Sequence, residues 1–121
     1  MHLQESGEMY LEAILVLSQR GRPVRSIDVL GYTKPSVSRA MSLLRNGGYV
    51  TADRNNYLRL TEAGQNVAER IYERHRVLTQ LFTMLGVSRE AAVKDACRIE
   101  HVISDETFNA IKQHAELFSG M

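Results

Sequence analysis

A chain of 121 residues is long enough for one compact core or for two small subdomains. Its longest apolar run, Ala13 to Leu17, is far too short to span a bilayer; no basic region followed by an apolar stretch reads as a signal peptide; and a single cysteine, Cys97, excludes an internal disulfide framework and suits a reducing cytoplasm. The net charge of +1 hides an asymmetry: between Arg20 and Leu60 eight basic residues stand against only Asp28 and Asp53, whereas from Thr61 onward seven basic residues meet nine acidic ones. On charge alone the middle suits either a polyanion partner or a solvated basic surface.

In chain order, Ser6 to Gln19 reads as a first helix with Ser6 as its cap, because Tyr10, Leu11, Ile14, Leu15 and Leu17 recur at helical spacing. Gly21, Arg22 and Pro23 stop it. Ser26 to Leu30 reads as a short second helix, followed by a turn at Gly31 and Tyr32. Thr33 caps a third helix that runs to about Arg45, with Pro35 in the first turn, where its missing N–H costs little. This helix is expected to bury Val37, Ala40, Met41 and Leu44, and Asn46, Gly47 and Gly48 end it. Tyr49 to Thr51 and Tyr57 to Leu60 read as two strands of a hairpin turned by Asp53, Arg54, Asn55 and Asn56. Thr61 starts a long helix to about Leu85, with Val67, Ile71, Leu78, Leu81 and Phe82 on one face. Ser88 caps a helix to about Ile103, and Ser104 caps the last one, with Asp105 and Glu106 at its positive end.

The expected fold is therefore mainly α. An N-terminal winged helix-turn-helix with a small β-hairpin wing, residues 1–62, precedes a helical metal-binding and dimerisation domain, residues 63–121. A helix-turn-helix presents the start of its second helix to base edges in the major groove. Here those residues are Thr33, Lys34, Pro35, Ser36, Ser38 and Arg39, and Arg39 has the fork for a bidentate contact to guanine. Lys34 and Arg45 suit phosphates, and the wing offers Arg54, Asn55 and Asn56 to phosphates or the minor groove. A winged helix that binds protein instead of DNA would share the pattern, but the basic excess coincides with the recognition face.

Cys97, Glu100 and His101 are three and four residues apart, so on a helix a thiol, a carboxylate and an imidazole share one face. His75 on the long helix, with Met9 and Glu12 on the first, can complete a metal site. The same triplet is also compatible with a buried thiol beside a surface ion pair.

The stretches Glu8-Met9-Tyr10-Leu11-Glu12, Lys34-Pro35-Ser36-Val37-Ser38-Arg39, Leu60-Thr61-Glu62-Ala63-Gly64, Arg74-His75-Arg76 and Ala96-Cys97-Arg98-Ile99-Glu100-His101-Val102-Ile103-Ser104-Asp105 together resemble the diphtheria toxin repressor family of iron- and manganese-responsive regulators. The last stretch is the most specific. In size the chain is similar to the short manganese transport regulators, which implies that the C-terminal domain of the longer iron regulators is absent. The resemblance implies a mixed site. Met9, Cys97, Glu100 and His101 match the primary site of iron-type members. Glu12 and His75 match ligands of manganese-type members, which usually carry Asp and Glu at the positions of Met9 and Cys97. Iron-type members place an ancillary Glu and His where this chain has Thr79 and Val93, so a complete ancillary site is not expected. Between Val29 and Leu30 the family normally has about three more residues, a little under one helical turn. Either the helix is shortened or residues are missing from the chain, and the packing damage of a true deletion favours the second.

The function expected is that of a metal-dependent repressor of iron or manganese uptake, binding a palindromic operator as a homodimer in the cytoplasm, with metal as corepressor and no membrane partner. Sulfur donors favour Fe2+, with Mn2+ as the alternative, and zinc, cobalt and nickel should bind at least as tightly in vitro. Two other classes compete: a metal-independent winged-helix regulator with Cys97 as a redox switch, and a small metal-dependent hydrolase with a glutamate base. The sequence offers no glycine-rich phosphate loop or nucleophile elbow, so no enzyme is expected.

Overall fold

A computed structural model describes residues 5–21, 24–25 and 34–119. It divides into two compact units, Met1–Glu69 and Arg70–Met121. The expected helix over residues 26–30, the junction of Val29 with Leu30, and Thr33 lie outside the described residues.

In the first unit, α1 (Glu5–Gln19) buries Tyr10, Leu11, Ile14 and Leu15, the stripe its periodicity announces, while Leu17 is only half-buried. A turn through Arg20 and Gly21 follows it, with Gly21 at a φ of 79° that glycine adopts without strain. Then comes β1 (Val24–Arg25), a strand that the local sequence does not announce. Two residues are too few to show an alternation; their pairing to a later strand makes them a strand. α2 (Lys34–Asn46) buries Met41 and Leu44, with Ala40 half-buried. Its end is a Schellman closure: Tyr49 N–H donates to Leu44 O at 2.9 Å and Gly48 N–H to Arg45 O at 3.1 Å, with Gly48 at φ 81°.

β2 (Val50–Ala52) and β3 (Tyr57–Leu60) follow. Their turn is organised by Asp53, whose Oδ1 accepts from the backbone N–H groups of Asn55 at 2.8 Å and Tyr57 at 3.0 Å. Asn56 takes the left-handed position at φ 64°, which asparagine tolerates. The expected hairpin is thus the larger part of a three-stranded antiparallel sheet of order β1-β3-β2, with Val24 opposite Leu58 and Val50 opposite Leu60. Val24, Val50 and Leu58 are buried on the sheet's inner side, against which α1 packs.

α3 (Glu62–Met84) starts in the first unit and continues into the second. Thr61 serves its start: Oγ1 accepts from Gly64 N–H at 3.1 Å and donates to Gly48 O at 2.6 Å. In the second unit α3 ends by the same closure as α2, with Val87 N–H on Phe82 O and Gly86 N–H on Thr83 O, and Gly86 at φ 99°. Of its expected apolar face Ile71 and Leu78 are buried, whereas Val67, Leu81 and Phe82 are half-buried. α4 (Arg89–Ile99) is capped by Ser88, which accepts from Ala91 N–H, and α5 (Asp105–Ser119) by Ser104, which accepts from Thr107 N–H. Ala92 and Ala96 of α4 and Phe108 and Ala115 of α5 are buried. Lys112 Nζ lies 2.9 Å from Glu73 Oε1; this bond and the glutamate's charge raise the lysine's pKa above its usual value. No described helix is long and apolar enough to cross a membrane.

Candidate metal centre and nucleic-acid surface

In the first unit α2 carries Lys34, Pro35, Ser36 and Ser38 in its opening turns, and farther along Arg39 and Arg45 with exposed side chains. Arg54, Asn55 and Asn56 are exposed at the β2–β3 turn that Asp53 shapes. The sheet adds two cations of the basic middle, Arg25 and Arg59, that are not among the DNA-binding residues expected from the sequence. Arg25 lies over the Tyr57 ring, 4.6 Å from its centroid, and its Nη2 donates to the Tyr57 hydroxyl at 2.8 Å. Arg59 is exposed two residues along β3, hence on the same side of the sheet as Tyr57. The alternation in Tyr57-Leu58-Arg59-Leu60 was the available signal for Arg59; Arg25 had none without its strand partner. Met9 is exposed and Glu12 half-buried on α1 of this unit.

In the second unit α3 supplies His75, α4 supplies Cys97, and the turn after α4 supplies Glu100 and His101. His75 Nδ1 lies 2.9 Å from Glu100 Oε2 and 3.9 Å from Cys97 Sγ. One ligand atom from each of His75, Cys97 and Glu100 falls within 4.8 Å of the other two. The carboxylate is the pivot. Glu100 is 1% exposed, its Oε1 has no hydrogen-bond partner, and that oxygen lies 3.4 Å from Nε2 of His101, a side chain 2% exposed. Burying a carboxylate with an oxygen left unbonded is costly unless a cation compensates. Ligand atoms about 2.0–2.3 Å from a transition metal sit no more than roughly 4.6 Å apart, so a small side-chain rotation suffices to gather this set. A nitrogen, a sulfur and an oxygen donor beside a deeply buried carboxylate fit a divalent transition metal.

The burial is the reverse of a buried thiol beside a surface ion pair: Cys97 is exposed while Glu100 and the His101 side chain are buried. Thr79 is half-buried one turn beyond His75 and Val93 is half-buried on α4, and neither brings a carboxylate or imidazole.

α4 stops at Ile99, short of the Ile103 expected from its spacing, so Glu100 and His101 belong to a turn, with Glu100 as the C-terminal helix cap. The chain tightens because Val102 and Ile103 both direct their N–H groups to Ile99 O, each at 3.0 Å. The carbonyls so released are met by Arg74 of α3, whose Nη1 donates to Ile103 O at 2.7 Å and to Glu100 O at 3.2 Å, while Nη2 donates to Asp105 Oδ1. Arg74 is 4% exposed. Its role is not apparent from the motif Arg74-His75-Arg76 alone. The signal was its place between Ile71 and Leu78 at helical spacing, since a cation on an apolar stripe requires partners.

Residues 61–118 match the family model described as the iron dependent repressor, metal binding and dimerisation domain. The chain is 32% identical over 121 residues to an uncharacterized HTH-type transcriptional regulator of Methanocaldococcus jannaschii, covering 96% of this chain and 97% of that protein. It is 32% identical over 108 residues to the diphtheria toxin repressor of Corynebacterium diphtheriae, covering 86% of this chain and 48% of that one. It therefore spans about half the length of that repressor. Among solved structures, the manganese regulator SloR superposes with a TM-score of 0.81 at 24% identity, covering 96% of this chain and 55% of that chain, a likeness of fold.

Proposed function

This chain belongs to the diphtheria toxin repressor family of metal-dependent transcriptional repressors, and from that premise we propose that it represses metal-uptake genes with a divalent metal as corepressor. The observation that carries the reading is the buried Glu100 carboxylate between two imidazoles, with one oxygen lacking a hydrogen bond and a thiol alongside. In this reading His75, Cys97, Glu100 and His101 hold the metal, and the family resemblance adds Met9 and Glu12 as donors. Residues 63–121 also form the homodimer. Residues 1–62 bind DNA, with Arg39 among the base readers and Arg45, Arg54, Asn55 and Asn56 toward the backbone. Bound metal supplies the energy that favours the dimer arrangement whose recognition helices are spaced about 34 Å apart, one turn of DNA. The family's members are transcriptional regulators, which leaves the hydrolase reading without support.

The test is duplex binding by the purified chain, using palindromic operators selected from random sequence in the presence of Mn2+ or, anaerobically, Fe2+. Removing metal with a chelator is expected to weaken operator binding by about 5- to 150-fold, the range of ordinary allosteric coupling. Equal affinity with and without chelator would falsify the reading and favour a metal-independent regulator.

Ferrous iron is proposed as the preferred activator, with manganese also active, because a thiolate donor shifts preference away from manganese. Cobalt(II) reports this directly. The wild-type complex should show a sulfur-to-cobalt charge-transfer band in the near ultraviolet, absent from Cys97→Ala. Identical spectra would mean that sulfur is no ligand, leaving an oxygen and nitrogen site suited to manganese.

A further inference from the structure

We infer that Arg74 is a positioning residue for the metal centre: its buried guanidinium grips the turn carrying Glu100 and His101 and holds both opposite His75. The inference rests on the metal reading above, and concerns a residue that is no ligand in it.

Of the four metal donors of the second unit, Cys97 is on α4 and the other three lie on two further pieces of chain. His75 is on α3, and Glu100 and His101 are on the turn between α4 and α5. Regular helix has ended at Ile99, and the turn is tied back by the Val102 and Ile103 N–H groups on Ile99 O. Arg74 adds a second attachment, to the other helix. Through Nη1 the guanidinium binds the carbonyls at the first and last positions of the turn, Glu100 O and Ile103 O, and through Nη2 it binds Asp105, where α5 begins. Arg74 and His75 are consecutive on α3, so the residue that anchors the turn and the residue that faces its carboxylate share one rigid backbone.

The chemistry requires an arginine. The contacts lie in divergent directions, which a planar fork of N–H groups satisfies and a single ammonium does not. A cation at the C-terminal carbonyls of α4 also has the sign that the helix dipole favours. The guanidinium is seated 5.3 Å from the centroid of the Phe108 ring, and Asp105 is steadied from outside by Arg70, whose Nη1 lies 4.0 Å from the same carboxylate oxygen. Packing alone would be served more cheaply by an apolar residue between Ile71 and Leu78, since a buried charge carries a desolvation cost.

The test is cobalt(II) titration of the full chain, read by affinity and by absorption spectrum, for wild type, Arg74→Lys, Arg74→Met and Asp105→Asn. Outer contacts that orient metal ligands are typically worth about 10- to 100-fold in affinity, and Arg74→Met is expected to lose that much and to change the band positions or intensities. Arg74→Lys should recover part of the loss. Asp105→Asn keeps the guanidinium and frees one of its arms, so it should show a smaller loss in the same direction, available even if Arg74→Met folds poorly. Variants that lower the melting temperature of the metal-free chain but bind cobalt with wild-type affinity and spectrum would overturn the inference and reduce Arg74 to a structural role. A wild-type chain that takes up no cobalt overturns both the metal reading and this inference, whereas normal wild-type uptake with unaltered variants overturns this inference alone.

Discussion

Glu100→Gln is expected to abolish metal responsiveness while leaving the metal-free fold nearly intact. Glutamine has the same shape and can still meet His75, but it removes the negative charge buried between His75 and His101. Removing one partner from a buried, mutually compensated set costs about 3–5 kcal/mol, which corresponds to a loss of roughly two to nearly four orders of magnitude in cobalt or manganese affinity. The effect on the metal-free chain should be small, because the carboxylate there has been taken out of water with Oε1 unbonded. Thermal melts separate the two effects. Metal at about 100 times its dissociation constant should stabilise the wild-type chain by roughly 2.7 kcal/mol, and the variant should show no such rise at that concentration. A wild-type rise in the Gln variant would remove Glu100 from the ligand set.

The second large effect is on stability, in the first unit. Gly64→Ala should destabilise the chain by roughly 3 kcal/mol or more, the upper range for overpacking. A Cβ at Gly64 would lie 2.0 Å from the Tyr49 carbonyl oxygen and 3.0 Å from the carbonyl carbon. Both are backbone, and that oxygen already accepts from Thr61 N–H at 3.0 Å, so relief requires α3 to lift away from the residue that leads into β2. Helix propensity alone argues the opposite sign, since glycine to alanine inside a helix usually gains up to about 1 kcal/mol. Urea unfolding decides between them. A midpoint that falls sharply supports the close approach, and a midpoint that rises refutes it. This contact, with the Thr61 cap beside it, gives a physical reason for the Thr61 and Gly64 of Leu60-Thr61-Glu62-Ala63-Gly64.

The features legible in the sequence were those whose physics is local. Tyr10, Leu11, Ile14 and Leu15 announced the buried stripe of α1 by spacing alone, and Ile71 and Leu78 did the same for α3. Ser88 and Ser104 marked helix starts, and Gly48 and Gly86 sit in the closures that end α2 and α3, because a cap or a left-handed turn is satisfied within a few residues. The basic middle of the chain was a matter of counting. Spacing also brought Cys97, Glu100 and His101 together as candidates, although their helix ends sooner than spacing suggested.

What tertiary structure alone decided involves groups far apart in the chain. Val24 and Arg25 are a strand only because Leu58 and Tyr57 pair with them. Glu100, which as a charged residue reads as exposed, is buried, and Cys97, which as a thiol reads as buried, is exposed, because burial depends on what packs above a face and not on the residue type. His75 reaches Glu100 and Cys97 across a separation of more than twenty residues. The carbonyls of Glu100 and Ile103 beyond the end of α4 are met by Arg74 on another helix, because carbonyls released at a helix terminus take whichever donor the fold delivers, and no local pattern encodes that delivery.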